Sequence, residues 1–346
     1  YGSFVVEADC ELTGGILLGV TTDKYTVKYN DEELSLDTLQ ADYENKLESV
    51  FPCKTKEKDE KINAFEYMAK NRVAPKTGIS KPKVLIPVFP GTNCEYDTAK
   101  RLEIAGAEPV IKVINNLSAS SVAESAKDFA SAIKQSQIIF IPGGFSGGDE
   151  PDGSGKFITA FFRNPKISAE VNELLKNRDG LIAGICNGFQ ALIKLGLVPY
   201  GEITEQSETS PTLTFNNIGR HQSMLVRTRV CSNKSPWLSN AEPGEIYTVA
   251  ISHGEGKFLC DEAFAEKLAA NGQIAMQYVD PDGSPTYKTA YNPNGSVFAV
   301  EAITSPDGRV FGKMGHSERI GDNLYKNVDG RYDLKMFESA VDYFKI

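Results

Sequence analysis

The chain has 346 residues, 41% of them hydrophobic and 24% charged, with a formal net charge of −9. That length and balance allow a sizeable core in two domains, or in one large domain with an appendage. The negative charge argues against nucleic acid or an anionic membrane as the main partner, and no apolar run approaches the roughly 20 residues that span a bilayer.

Residues 1–20 contain Glu7, Asp9 and Glu11 and lack the basic start of a signal peptide. The chain opens mid-pattern at Tyr1, without a methionine, as a fragment or processed product would. Residues 4–6 and 16–20 read as strands about a Gly14-Gly15 turn, and residues 25–29 as a third strand before an Asn30-Asp31 turn. Ser35 is placed to cap a helix with Leu36, Leu39, Tyr43, Leu47 and Val50 on one face. These pieces form a small α+β appendage over residues 1–53, too little for an independent core. Residues 54–82 read as a linker: a mixed-charge run, a short helix over 62–72, then Pro75, Gly78 and Pro82.

From Val84 the pattern changes. Apolar strands at 84–89, 109–114, 138–141 and 181–185 alternate with helical spacings at 95–105, 118–134, 167–176 and 189–195. This predicts an α/β fold over residues 83–346, a mostly parallel, doubly wound sheet with helices on both faces. Sites in such sheets lie beyond the carboxyl ends of the strands, where the loops at 90–93, 142–148 and 186–188 fall. The later chain is richer in strand signals, at 224–230, 246–251, 296–302 and 310–314, and ends in an amphipathic helix over 333–344.

The strand at 181–185 runs into Cys186, with Gly184 two residues before and Gly188 two residues after, and a helix follows. Strand, sharp turn and helix make a nucleophile elbow with sulfur in place of a hydroxyl. The glycines relieve crowding in the turn, and the helix N-terminus favours a thiolate. A free cysteine is more often a small buried core residue, but the paired glycines at a strand end favour the nucleophile. The other cysteines, Cys10, Cys53, Cys94, Cys231 and Cys260, are scattered and form no C-x-x-C pair. Reduced thiols of a cytoplasmic protein fit them better than a disulfide framework, and no metal site is expected.

A cysteine nucleophile needs a base, and the base needs an orienting partner. Two H-x-E triplets exist, His253-Gly254-Glu255 and His316-Ser317-Glu318, and in either an extended backbone puts His and Glu on one side. Spacing does not separate them. His253 lies among glycines, in a setting suited to a binding loop, whereas His316 directly follows a long apolar strand, a more rigid mount for catalysis. A third component is the loop Pro142-Gly143-Gly144-Phe145-Ser146-Gly147-Gly148, whose backbone N–H groups can converge on an anion and, with the N–H of Asn187, hold an oxyanion. Asp149 stands where a P-loop would need lysine, so a phosphate cradle is not expected.

The G-x-C-x-G-x-Q elbow, the P-G-G loop and a late H-x-E resemble the triad-type (class I) glutamine amidotransferases. Within that group, Pro90-Gly91-Thr92-Asn93-Cys94, Pro142-Gly143-Gly144-Phe145-Ser146, Cys186-Asn187-Gly188-Phe189-Gln190 and His253-Gly254-Glu255-Gly256 are similar to the glutaminase part of formylglycinamide ribonucleotide amidotransferase, also called phosphoribosylformylglycinamidine synthase. The resemblance covers residues 83–346. It implies a triad of Cys186, His316 and Glu318, with glutamine held by Gly143, Gly144, Phe145, Asn187 and Gln190. It places Asn93, His253 and Glu255 in a loop near the site or at a contact with a synthetase part. It also implies that residues 1–53 are the tail of that synthetase part, the partner that receives ammonia for purine biosynthesis. ATP and Mg²⁺ would belong there, and the glutaminase itself would need no cofactor. The alternatives are another cysteine hydrolase on the same scaffold, such as a protease or deglycase, and a catalytically silent regulatory domain. Gln190, the late H-x-E and the intact nucleophile and histidine favour the glutaminase. Two positions depart from the commoner pattern: Ser317 stands where H-P-E has proline, and Gly147 where an aromatic residue usually follows F-S.

Overall fold

The computed structural model describes residues 2–53, 55–148 and 154–345, so Asp149 lies outside the described residues. The chain divides into two units, Tyr1–Lys54 and Thr55–Ile346.

In the first unit, strands β1 (Thr26–Tyr29) and β2 (Glu32–Ser35) form an antiparallel hairpin, turned by Asn30 at φ 55°, and helix α1 (Leu36–Asn45) follows. Ser35 occupies the cap position but its side chain makes no cap hydrogen bond, and α1 buries no residue. Residues 4–6 and 16–20, expected as strands, form none. Their β-branched composition is real, but a two-stranded pairing is marginal unless it has a core to cover.

The second unit begins with a strip, residues 55–82, that has no helix over 62–72. Ile62 is buried, the Tyr67 N–H donates to Cys231 O (2.8 Å), and the Phe65 N–H donates to the Gln277 side chain (2.9 Å). Extended pairing with the sheet thus overrides the helical propensity of the Ala, Glu and Lys residues there.

The α/β region then runs β3 (Lys83–Val88), α2 (Glu95–Ala105), β4 (Glu108–Val113), α3 (Ala119–Lys134), β5 (Ile138–Ile141), α4 (Lys156–Phe162), α5 (Pro165–Lys176), β6 (Leu181–Ile185), α6 (Asn187–Leu195) and the short turn α7 (Leu197–Tyr200). The remainder adds β7 (Thr212–Phe215), β8 (Gln222–Val230), β9 (Ile246–His253), β10 (Glu255–Leu259), α8 (Glu262–Ala270), β11 (Ile274–Val279), β12 (Val300–Thr304), β13 (Val310–Lys313) and α9 (Met336–Asp342). Gly106 ends α2 in the left-handed conformation, and the Ser118 hydroxyl caps α3 by accepting from Ser121 N–H. Among the described residues no helix is long and apolar enough to cross a membrane.

One nine-stranded sheet has the order β4-β3-β5-β6-β13-β12-β11-β8-β9. The pairs from β4 to β13 are parallel, and those from β13 to β9 are antiparallel. The parallel half is the one the alternating pattern predicts. Every residue of β5 and β6 is buried, as strands covered on both faces must be. The strand-rich later chain supplies the antiparallel half. Its register shifts between β11 and β12, and such bulges bend a sheet. The far edge strand β9 reaches the ends of β6 and β13: the His316 N–H donates to Ala250 O (2.8 Å), and the Cys186 thiol lies 3.8 Å from Ser252 O.

Two glycines fix how α6 sits on the sheet. A Cβ on Gly188 would lie 2.1 Å from Ile141 O, and one on Gly312 would lie 2.3 Å from the Phe189 ring. The first neighbour is backbone and cannot give, whereas the second is a side chain with some freedom. Gly188→Ala is therefore expected to destabilise the chain by more than about 3 kcal/mol, and Gly312→Ala by about 1–3 kcal/mol. Denaturant melts of both variants check the order, and equal losses would refute this account of the packing.

Candidate functional site

The strand β6 ends at Cys186, which adopts φ 52° and ψ −107° and begins α6. A non-glycine residue in that region is strained and is held there by its surroundings. Here the Cys186 N–H donates to Lys313 O (2.8 Å), and Cys186 O accepts from Gln190 N–H (3.0 Å). The thiol is thus fixed at a helix N-terminus, where unpaired N–H groups gather.

β13 is the parallel neighbour of β6, and three residues past its end stands His316. The His316 and Glu318 side chains are both fully buried, and Nδ1 donates to Glu318 Oε1 at 2.5 Å. Burial disfavours the imidazolium, but the Glu318 carboxylate and then Cys186 outweigh it and hold His316 well above its ordinary pKa. Burial likewise penalises the Glu318 carboxylate, and His316 overrides this to hold Glu318 below the usual carboxylate range. Nε2 of His316 has no hydrogen-bond partner among the described residues, and Cys186 is the neighbour whose charge would stabilise its protonated form.

The loop at 142–144 closes the other side. The Asn93 N–H donates to Gly143 O (3.3 Å), and the Phe145 N–H donates to Gly91 O (2.8 Å), which bridges it to the loop at 90–93. In such a bridge the residue between the two bonds, Gly144, turns its own N–H away from the partner strand. Gly144 sits at φ 145°, and a Cβ there would lie 2.6 Å from Gly91 O. At Gly143 a Cβ would lie 2.7 Å from His316 Cε1, so its missing side chain makes room for the imidazole. Phe145 is partly exposed, its ring 6.0 Å from that of His221.

The remaining sequence-predicted residues form the supporting frame. Asn187 Oδ1 accepts from Ser146 N–H (3.2 Å), and its amide donates to Gln190 Oε1 (2.9 Å). The Gln190 amide donates in turn to Glu255 O (2.5 Å), so both ends of that side chain are engaged within the protein. Glu255 Oε2 accepts from Ser154 N–H (2.6 Å), and Oε1 pairs with Lys194 (3.5 Å). Gly147, at φ 77°, donates its N–H to Pro90 O.

His253 is buried, with its ring over Gly256, and neither ring nitrogen has a hydrogen-bond partner among the described residues. Burial, with smaller contributions from His316 and His221, lowers its pKa from 6.5 to about 3. The two H-x-E triplets therefore differ: His316 is paired with its glutamate, and His253 is not.

Residues not singled out by the sequence also line the site. The Cys94 thiol lies 3.8 Å from His316 Nδ1, donates to Asn93 Oδ1 (3.1 Å) and accepts from Arg319 (3.1 Å). One ligand atom from each of Cys94, His316 and Glu318 lies within 4.8 Å of the others, a spacing able to hold a cation. A cation there would have to displace both the Nδ1–carboxylate proton and the Arg319 guanidinium. These donors are arranged to hold a proton. The sequence signal for Arg319 was its place directly after the triplet, and Cys94 was visible only as the end of a motif.

A family profile described as CobB/CobQ-like glutamine amidotransferase domain matches residues 81–344. The chain belongs to this family of glutamine amidotransferase domains. Its relatives include the PurQ subunit of phosphoribosylformylglycinamidine synthase from Methanococcus maripaludis, 33% identical over 284 residues, covering 76% of this chain and 97% of the relative. The subunit of the same name from Pyrococcus horikoshii is 32% identical over 263 residues, covering 76% and 99%. Among solved structures, a chain of PurLQS from Thermotoga maritima superposes with a TM-score of 0.56 at 27% identity, covering 77% of this chain and all of that one.

His253 stays neutral in the folded chain and gains a proton on unfolding. Between pH 6.5 and about 3 the unfolded state therefore binds one more proton. The stability His253 contributes is fully present above pH 6.5 and falls with acidification by about 1.4 kcal/mol per pH unit. Urea melts of His253→Phe are expected to show a shallower loss between pH 6.5 and 4.5 than wild type. An identical slope would mean that His253 is solvated or paired.

Proposed function

We propose that this chain hydrolyses L-glutamine and supplies the ammonia for amidation of formylglycinamide ribonucleotide in purine biosynthesis, as the glutaminase domain of a phosphoribosylformylglycinamidine synthase. The observation that carries the reading is the buried His316–Glu318 pair set beside a cysteine elbow, in a chain that matches PurQ subunits over nearly their whole length. The Cys186 thiolate attacks the side-chain amide carbon of glutamine. The N–H groups of Gly144 and Asn187 receive the oxyanion. His316, oriented by Glu318, gives a proton to the departing ammonia and leaves a γ-glutamyl thioester. It then takes a proton from water, whose attack on the thioester releases glutamate and returns the thiolate. Gln190 acts by holding Asn187 and the Glu255 carbonyl in place.

The ammonia passes to a synthetase part, to which residues 1–53 belong and to which residues 54–82 connect. ATP and Mg²⁺ act in that part, and no residue of this chain is assigned to them. No nucleic acid or membrane enters the reaction, which takes place in the cytoplasm. The relatives are named as a subunit of phosphoribosylformylglycinamidine synthase, and the Thermotoga maritima structure is named PurLQS; both names support a protein partner of this kind.

The test is glutamate release from glutamine, with peptide mapping after treatment with an electrophilic glutamine analogue. Labelling at Cys186 alone, blocked by glutamine, is expected. Cys186→Ala should abolish turnover, and Glu318→Gln should lower kcat by about 10³–10⁴-fold with the fold intact. Labelling at Cys94 or Cys260 instead would transfer the chemistry to another thiol. Turnover of esters or peptides but not glutamine would favour a different cysteine hydrolase. No labelling and no turnover, even with a synthetase partner added, would leave a silent domain.

A further inference from the structure

Beneath the turn that carries His316 lies an ion pair with no part in the proton transfers. The side chains of Lys313, on β13, and Glu301, on β12, are 1% and 0% exposed and 3.4 Å apart. Lys313 Nζ also donates to Gly315 O (3.1 Å) and to Ser317 Oγ (3.0 Å). Glu301 Oε1 accepts from Gly315 N–H (2.7 Å), while Oε2 has no partner among the described residues. The two charges therefore grip both the N–H and the carbonyl of the residue before His316, and Lys313 grips the hydroxyl of the residue after it. Nothing else fits at Gly315: a Cβ would lie 2.7 Å from Val249 and 2.9 Å from Glu301 Oε1.

A buried ion pair is a poor source of stability, because desolvation of the two charges roughly cancels their attraction, and apolar replacements are often neutral or better. What this pair supplies is geometry. A proline at position 317 would lock φ near −65°. Ser317 has no such lock, and its hydroxyl is instead tied to a fixed ammonium. Among the described residues the His316 side chain is held at Nδ1 alone, by the Glu318 bond and the longer Cys94 contact, so the direction of Nε2 also depends on where the backbone of residues 315–317 sits.

We propose that Lys313, Glu301 and Ser317 are positioning residues that set the His316 imidazole on Cys186. The proposal rests on the reading of Cys186 and His316 as nucleophile and base. Misplacement of a catalytic group by about 1 Å costs about 10²-fold in rate.

The experiment uses the full chain and three variants: the double substitution Lys313→Met with Glu301→Gln, Ser317→Ala, and Ser317→Thr. Glutamine hydrolysis and the rate of Cys186 alkylation by the electrophilic glutamine analogue are followed from pH 5 to 10, beside thermal melts. The double variant is expected to melt within a few degrees of wild type, with KM for glutamine nearly unchanged. Its kcat should fall by about 10- to 100-fold, and the pH dependence of turnover, to which His316 contributes, should shift with it. Ser317→Ala should show the same direction with a smaller loss, and Ser317→Thr, which keeps the hydroxyl, should recover most of it. Should the double variant fail to fold, the Ser317 pair decides by itself. Unchanged kcat and pH profile in Ser317→Ala would overturn the proposal, as would unchanged values in a folded double variant. A wild-type chain that neither turns over glutamine nor is labelled at Cys186 would overturn the glutaminase reading and this proposal with it. Normal wild-type chemistry beside indifferent variants would overturn this proposal alone.

Discussion

The hydrogen bond from the Cys186 N–H to Lys313 O (2.8 Å) joins the strand that ends at Cys186 to the strand that leads to His316. It extends the parallel register of β6 and β13, in which Gly184 faces Gly312 and Ile185 faces Lys313. Two strands remote in sequence thus bring Cys186, the residue after β6, and His316, three residues after β13, to one place. The glycines follow from the same pairing. Gly312 admits the Phe189 ring, Gly188 lets α6 start against Ile141, and Gly143 leaves the imidazole its volume. Each close approach brings the helix or the loop onto the ends of these two strands.

Charge is managed by the same frame. The site buries a carboxylate and an imidazole, both costly in isolation. The cost is offset because Glu318 and His316 meet at hydrogen-bond distance, so each favours the other's charged form. The strand β9 completes the enclosure, since Ala250 O fixes the His316 backbone and Ser252 O lies against the Cys186 thiol. An antiparallel extension of the sheet therefore becomes a wall of a site built on parallel strands.

The parts legible in the sequence are those where local pattern and tertiary role agree. The helix at 95–105 and the strands at 138–141 and 181–185 appear at the expected residues, because buried strands and amphipathic helices carry their periods in every residue. The strip at 55–82 does not, because what holds Tyr67 and Phe65 is the Cys231 carbonyl just past β8 and the side chain of Gln277 on β11, both remote in sequence. The strands expected at 4–6 and 16–20 failed for the opposite reason, having strand-forming residues but no partner edge. The strand–turn–helix at Cys186 and the glycine loop at 142–148 were legible because their glycines mark close approaches of backbone. Cys94, Arg319 and Lys313 were not, since nothing local in the sequence says that a thiol, a guanidinium or an ammonium will be folded against an imidazole and its turn.

The two H-x-E triplets show where spacing stops being informative. In both, histidine and glutamate are two residues apart, and in both they are buried. At 316–318 the turn after β13 brings the two side chains together, and burial strengthens their pairing. At 253–255 the chain passes from β9 into β10, and the glutamate leaves its histidine for Ser154 and Lys194, while its carbonyl takes Gln190. The same burial then acts on an imidazole with no carboxylate and keeps it neutral. One sequence pattern thus yields a proton-holding pair in one place and a neutral ring with a structural glutamate in the other. The difference lies in what packs beside each carboxylate: the Ser154 N–H before α4 and the Lys194 ammonium on α6 at Glu255, and the imidazole itself at Glu318.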